Sequence, residues 1–253
     1  MKALILAGSK GNKTPLLGYT NKALLPIRGK IMVQYIIDAL RGSAFIDGIA
    51  IIGDENALAR EIQIDPDKDI ILPEKEQMID NVVKGLEHFQ REDKVLIITA
   101  DIPFITPAAI DDFIKASLDS KGDLTYPIIS KEAQEEAFPQ MKRTYIKLRE
   151  GTFTGGNMFL VNPAIVDRCI DMARYMMEHR KKPWKMAKML GISFLARLLM
   201  GTLTLKGLEK RVAHLLNIEP KAIISSYAEV GNDVDKPSDV EYAEKYLSLL
   251  HHK

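Results

Sequence analysis

Four nearly continuous apolar runs constrain the fold of this chain more than any other feature: "KALILA" (2–7), "GIAIIG" (48–53), "DIILP" (69–73) and "KVLIITA" (94–100). Runs of this kind, without polar alternation, read as strands covered on both faces. Helical patterns lie between them. One is "IMVQYIIDALRG" (31–42); another is "QMIDNVVKGLEHFQ" (77–90), in which Ile79, Val82, Val83, Leu86 and Phe89 share a face. "TPAAIDDFIKASL" follows, with Thr106 placed as an N-cap and Pro107 at the first helical position. Such alternation predicts a doubly wound α/β unit: a mostly parallel sheet with helices on both sides.

The second half changes character. "DLTYPII" (123–129), "RTYIKLR" (143–149) and "NMFLVN" (157–162) read as strands without long helices between them, hence as mixed or antiparallel additions. A helix then starts at Asn162-Pro163 with Ile165, Cys169, Met172 and Met176 on one face. Residues 181–217 are helical in pattern, broken by Pro183, Gly191, Gly201 and Gly207. "KAIISSY" (221–227) reads as a last strand, and Val240, Ala243, Leu247 and Leu250 stripe a terminal helix. No repeat or linker divides the 253 residues, so the expectation is one domain with a helical insertion at about 178–218.

Bulk properties exclude several classes. With 46% hydrophobic and 27% charged residues and a net charge of +1, the chain is globular in type and not a general polyanion binder, so no nucleic-acid partner is expected. One cysteine, Cys169, rules out an internal disulfide and most structural zinc sites, and its helical position reads as a buried bystander. Lys2 leads straight into a strand pattern without the features of a signal peptide, and "LGISFLARLLMGTLTL" (190–205) is too short to span a bilayer. The expected location is cytoplasmic. The five histidines lie outside every motif. Charge is nonetheless uneven: residues 141–216 hold 15 Lys and Arg against 5 Asp and Glu. That segment is either a set of solvated helix faces or a basic wall for an anionic ligand.

Three stretches could carry chemistry. The loop after the first strand, "LILAGSKGNKTPLLGYTNKALLP" (4–26), offers glycine backbone and lysine charge beyond a strand's carboxyl end, where open sheets bind ligands. It lacks the G-x-x-x-x-G-K-[ST] phosphate-loop pattern, so a lysine-rich surface turn is the competing reading. Asp101 in "TADIPFI" (99–105) stands just past the fourth strand, either as a ligand-facing carboxylate or as a turn cap before Pro103. Asp233 and Asp235 in "GNDVDKPSDV" (231–240) precede the final helix, again as ligands or as turn residues.

Taken together, "LILAG…NKALLPIRGKIMVQYIIDAL…TADIPFI…TGGNMFLV…DVDKPSDV" resembles the MobA-like NTP transferases, nucleotidylyltransferases with a glycosyltransferase-A-type, Rossmann-like three-layer α/β/α fold. The resemblance runs along essentially the whole chain and is most specific in the first 105 residues. It implies that Leu6, Ala7, Gly8 and Ser9 hold the base and phosphates of an NTP, that Lys22 contacts the phosphates, and that Asp101 and Asp235 bind Mg²⁺. Asn81 falls near a nucleotide-contacting serine region, and Gly155, Gly156 and Asn157 match an acceptor-lining segment. The family's S-x-R-M-G has no counterpart. Lys10 and Lys13 are the stand-ins for its arginine, offering point charges in place of a bidentate fork.

The activity so implied is Mg²⁺-dependent transfer of an NMP from an NTP, its base unassigned, to a phosphate-bearing small molecule, releasing pyrophosphate. Arg143, Lys147 and Arg149, spaced for one face of a strand, are the candidates for gripping that anionic acceptor. Segment 178–217 reads as a packed helical lid or a homodimer contact, with an amphipathic acceptor site or peripheral membrane contact as the alternative. Two other classes stay open. A glycosyltransferase would want a D-x-D run where this chain has Ala100-Asp101-Ile102-Pro103, and the missing arginine points to a non-catalytic nucleotide- or metabolite-binding module.

Overall fold

The computed structural model describes residues 1–10, 15–179 and 183–250. In chain order its elements are β1 (Lys2–Ala7), β2 (Pro26–Ile27), β3 (Lys30–Ile31), α1 (Met32–Arg41), β4 (Gly48–Gly53), α2 (Glu55–Glu61), β5 (Ile70–Pro73), α3 (Met78–His88), β6 (Val95–Thr99), α4 (Pro107–Ser120), β7 (Leu124–Ser130) and α5 (Lys131–Ala137). There follow β8 (Ile146–Leu148), β9 (Gly151–Gly155), β10 (Met158–Val161), α6 (Val166–His179), α7 (Pro183–Leu190), α8 (Ile192–Leu199), α9 (Leu205–Leu216), β11 (Pro220–Ile224) and α10 (Pro237–Leu250).

Nine strands form one sheet in the order β5-β4-β1-β6-β10-β7-β9-β8, with β11 paired to β7. β5, β4, β1 and β6 are parallel, as their apolar character predicts. β1 lies between two neighbours, Leu4 standing opposite Ala50 on β4 and Ile97 on β6. Strand alternation divides the core into two layers. Ala3, Ile5, Ala7, Ile51 and Ile98 face α1, α4 and α10, where Ile36, Leu40, Ile110, Phe113 and Ala243 are buried. Leu4, Ala50, Ile52, Val95 and Ile97 face the other way, toward Leu86 of α3, Cys169 and Met172 of α6, and Leu216 of α9. Gly85 lets α3 close on the sheet: a Cβ there would lie 2.2 Å from Leu4 Cδ2. Phe113 is fully buried, and Phe113→Ala is expected to cost about 3–5 kcal/mol, read as a lowered urea midpoint at unchanged slope.

The mixed part of the sheet turns on one irregularity. β10 is antiparallel to both β6 and β7, while β9, directly before it in sequence, continues antiparallel along the same edge of β7. Gly156 and Asn157 interrupt what would otherwise be one long strand, and the change of register between the two halves marks a bulge at this point. β9 lies outside the expected strands: between its glycines at 151 and 155 it holds only Thr152, Phe153 and Thr154 as strand-forming residues. The expected strand 143–149 shrinks to β8, which removes the argument that Arg143, Lys147 and Arg149 share a strand face. Gly207 does not break a helix either; its N–H is capped by Thr204 in the first turn of α9. Residues 183–216 form α7, α8 and α9, whose inner residues Phe194, Leu198 and Leu208 pack on a small cluster of Ile128, Leu148, Phe153 and Leu203.

Candidate active site

Three loops meet beyond the carboxyl ends of β1 and β6. The first is fixed by Asn21, a buried side chain that donates to the Ala7 carbonyl at 3.0 Å and accepts from Ala23 N–H at 3.0 Å. It thereby ties the end of β1 to a short 3-10 turn beginning at Lys22. The second carries Asp101, two residues past β6. The third, residues 228–235, hangs from a buried amide pair in which Gln134 Nε2 donates to Asn232 Oδ1 at 2.7 Å and Asn232 Nδ2 returns a bond at 3.1 Å. Val234 N–H donates to the Asp101 carbonyl at 2.9 Å, and Asn157 N–H, in the bulge, donates to the Val230 carbonyl at 2.8 Å. These backbone bonds tie the second and third loops to each other and to the bulge.

The result is a dense charge cluster. Asp101, Asp233 and Asp235 bring carboxylate oxygens within 4.8 Å of one another. Lys22 Nζ lies 2.5 Å from Asp101 Oδ2 and also pairs with Asp235; Arg143 pairs with Asp233. Burial opposes the charge on Lys22, but the Asp101 and Asp235 carboxylates override it and hold the ammonium above the ordinary lysine range. Burial and the neighbouring Asp101 charge push the Asp233 carboxyl up to about 6, against the opposing pull of Arg143. Burial works in the same direction on Asp235, but its hydrogen bond with Asp233 and the Lys22 charge outweigh that and hold it below the usual range. Two adjacent carboxyls driven apart in this way make the cluster a candidate functional site.

Several buried polar atoms here have no partner among the described residues: Asp101 Oδ1, Thr99 Oγ1, Asn157 Nδ2 and Arg143 Nε. Groups of this kind are usually satisfied in proteins, so a cluster of them leaves places for an ion, a water or a ligand atom. A set of carboxylate oxygens with one unshared buried oxygen fits a hard divalent cation such as Mg²⁺, which binds through one or two carboxylates with substrate oxygens completing its shell. Glycines line the same floor. A Cβ on Gly156 would fall 2.7 Å from Pro127 Cγ and 3.1 Å from the Val230 carbonyl, so the bulge closes on the 228–235 loop only with glycine there.

The loop after β1 already holds an anion of the protein's own. Glu74 Oε2 accepts from Ser9 N–H at 2.7 Å and Lys10 N–H at 3.1 Å, and Ser9 Oγ donates to Glu74 Oε1 at 3.2 Å. Successive backbone N–H groups converging on one carboxylate form an anion-binding concavity. Asn81 stands beside it, buried, accepting from Lys75 N–H at 2.6 Å with its amide nitrogen against Gly8.

The structure therefore gathers Gly8, Ser9, Lys22, Asn81, Asp101, Arg143, Gly155, Gly156, Asn157 and Asp235 at one edge of the sheet, with Leu6 and Ala7 ending the strand that leads there. Lys10 is exposed and 3.9 Å from Glu76; Lys13 lies outside the described residues. Lys147 and Arg149 do not join the site: both are exposed on and after β8, where the Lys147 stem runs over Gly201. Glu74 is an addition to the expected set. Asp233, a candidate beside Asp235 but outside the metal pair that the resemblance implies, joins the cluster. Nothing in the sequence announces Glu74, whose partners lie 64 and 65 residues upstream.

Residues 3–188 match the MobA-like NTP transferase domain, and the chain belongs to that family. It is an enzyme of the nucleotidyltransferase kind. Its fold is shared by a hypothetical transferase from Thermus thermophilus, 36% identical, with 94% of this chain and 98% of that one superposed at a TM-score of 0.81. More distant structures agree in fold alone. CMP:2-keto-3-deoxy-manno-octonic acid synthetase, solved with CTP, aligns at 13% identity over 98% and 99% of the two chains with a TM-score of 0.64. 4-Diphosphocytidyl-2C-methyl-D-erythritol synthase from Anaerococcus prevotii aligns at 12% identity over 98% and 97% with a TM-score of 0.61. A 125-residue stretch is 28% identical to the bifunctional protein GlmU of Clostridium beijerinckii; it makes up 49% of this chain and 27% of that protein.

Proposed function

We propose that the chain is a single-domain, Mg²⁺-dependent nucleotidylyltransferase that moves an NMP from an NTP to a phosphate-bearing small molecule and releases pyrophosphate. The observation that carries this reading is the meeting of Asp101, Asp233, Asp235 and Lys22 beside a backbone loop already shaped around an anion. In-line displacement at an α-phosphate needs no covalent nucleophile; it needs two anions held together and their growing charge stabilised. A divalent cation, when bound, supplies that Lewis-acid stabilisation.

The chain's own residues supply the rest. Asp101 and Asp235, joined by Asp233, would hold the cation. Lys22, released from its two carboxylates, would reach the phosphates within the loop that now fixes it. The Glu74 carboxylate stands in for the anionic or acceptor oxygens of the nucleotide, which would take up the Ser9 and Lys10 N–H groups in its place. Arg143, already beside Asp233, and the Gly155–Asn157 bulge would receive the acceptor phosphate from the opposite side. Nucleic acid has no part in this, and the NTP supply places the reaction in the cytoplasm. Thermal shift against ATP, CTP, GTP and UTP with Mg²⁺ selects the base, and pyrophosphate assay against sugar phosphates, alcohol phosphates and a pterin phosphate selects the acceptor. Stabilisation by none of the four nucleotides would contradict the reading.

The acidic cluster also sets a pH dependence. Asp233 has its pKa raised from 3.8 to about 6, so the metal-free folded chain holds this proton more tightly than the unfolded one. That contribution favours the metal-free fold at low pH and is lost as pH rises through about 6. Metal binding needs the ionised form, so the sign reverses. Mg²⁺ at about 100 times its Kd is expected to add about 2.7 kcal/mol of stability at pH 7.5, seen as a higher melting temperature, and clearly less at pH 5. An equal shift at both pH values would argue against Asp233 in the cation set.

A further inference from the structure

The α7–α9 insertion carries an apolar face that the fold leaves uncovered. On α8, Ile192 is 83% exposed and Leu199 88%, and Met200, which continues the helix in αR geometry, is 66% exposed. With Ala196 they fall at i, i+4, i+7 and i+8, one side of the helix. The opposite side is satisfied by Phe194 and Leu198 packing toward Leu148 and Leu203. The helix is therefore apolar toward the protein and apolar away from it, with Ser193 and Arg197 as its exposed polar residues.

The charge of these helices is one-sided. Residues 183–216 contain six Lys and Arg and one acidic residue, Glu209. Lys185 and Lys188 on α7, Arg197 on α8, and Lys206 and Lys210 on α9 are exposed. Glu209 does not offset them outwardly, because its Oε1 accepts from Ala222 N–H of the sheet at 2.9 Å. A strip of four side chains on an eight-residue helix is too small for a stable protein–protein interface, which needs about 800 Å² per partner. It is enough for a surface that adds several cations to a few inserted aliphatic side chains. Among the described residues no helix is long and apolar enough to cross a membrane, so this is a contact made along a surface.

We propose that the exposed face of α8, with the lysines of α7 and α9, docks the protein on an anionic lipid bilayer. Ile192, Leu199 and Met200 enter the headgroup boundary and the surrounding cations meet lipid phosphates. The contact is connected to the candidate site through the sheet: α8 packs on β8, β8 pairs with β9, and β9 ends at the bulge, where the Asn157 carbonyl accepts from Thr99 N–H.

The test is cosedimentation of the full chain with vesicles of phosphatidylcholine alone and of phosphatidylcholine with phosphatidylglycerol. Binding to the anionic vesicles and not to the neutral ones is expected, weakened by high salt. Leu199→Glu should lower the partition coefficient at least about tenfold, and the Lys206→Glu/Lys210→Glu pair at least about 25-fold, at roughly fivefold for each cation lost. Both variants change exposed side chains, so unchanged thermal melting confirms that each has folded. Absence of binding to anionic vesicles, or wild-type binding by Leu199→Glu, overturns the proposal. So does a wild-type dimer in light scattering that Leu199→Glu splits, since a second copy would then cover the face.

Discussion

Asp101→Asn is expected to lower pyrophosphate release by about a thousandfold or more, equivalent to about 4 kcal/mol of transition-state stabilisation, while the protein stays folded. Asp101 differs from the other two carboxylates in standing two residues past a core strand, its carbonyl accepting from Val234 N–H and the preceding Ala100 N–H donating to the Leu6 carbonyl. One of its oxygens pairs with Lys22, and the other is buried without a partner. Asparagine keeps the shape and one oxygen but replaces a charged ligand by a neutral amide. Lys22 retains Asp235, so its ammonium stays paired. The assay is steady-state turnover with saturating NTP and Mg²⁺, beside a urea melt. Turnover within about tenfold of wild type would remove Asp101 from the reaction.

Lys22→Met should separate two roles that the metal-free structure merges. Lys22 neutralises Asp101 and Asp235, the same carboxylates that would hold the cation. Ammonium and metal therefore compete. Without the lysine, the carboxylates are left to repel one another, and affinity for Mg²⁺ in the absence of nucleotide is expected to rise about tenfold. NTP turnover should move the other way, falling about a hundredfold with a raised KM, because the phosphates lose a charge-assisted partner. Opposite signs in two titrations are difficult to obtain from misfolding. Weaker metal binding together with weaker turnover would mean that Lys22 serves only to build the site.

Much of this arrangement can be read directly from the residues. Strands without polar alternation, such as "GIAIIG", leave little choice but a sheet covered on both faces, and β4 is buried along its whole length. Lys22, Asp101 and Asp235 follow from family-like motifs, and the fold brings them to one point from three distant stretches of chain. Other features lie beyond local pattern. The 143–149 stretch alternates like a strand, yet tertiary pairing uses only 146–148, and Arg143 is drawn away to Asp233. Glu74 acquires its role from the end of β1, a contact created by placing β5 and β1 on either side of β4. The outward face of α8 is written plainly in "GISFLARLLMG", but apolar spacing alone does not distinguish a face that packs from one that stays bare.

The most direct test of the central claim is the phosphorus-containing product formed from an α-labelled NTP, with Mg²⁺ and an acceptor phosphate chosen by thermal shift. Label transferred to the acceptor in one-to-one proportion with pyrophosphate, and abolished by chelating the metal, is the predicted result. A nucleoside diphosphate released from a nucleotide sugar without pyrophosphate, or NTP bound tightly with no label moved to any acceptor, would contradict it.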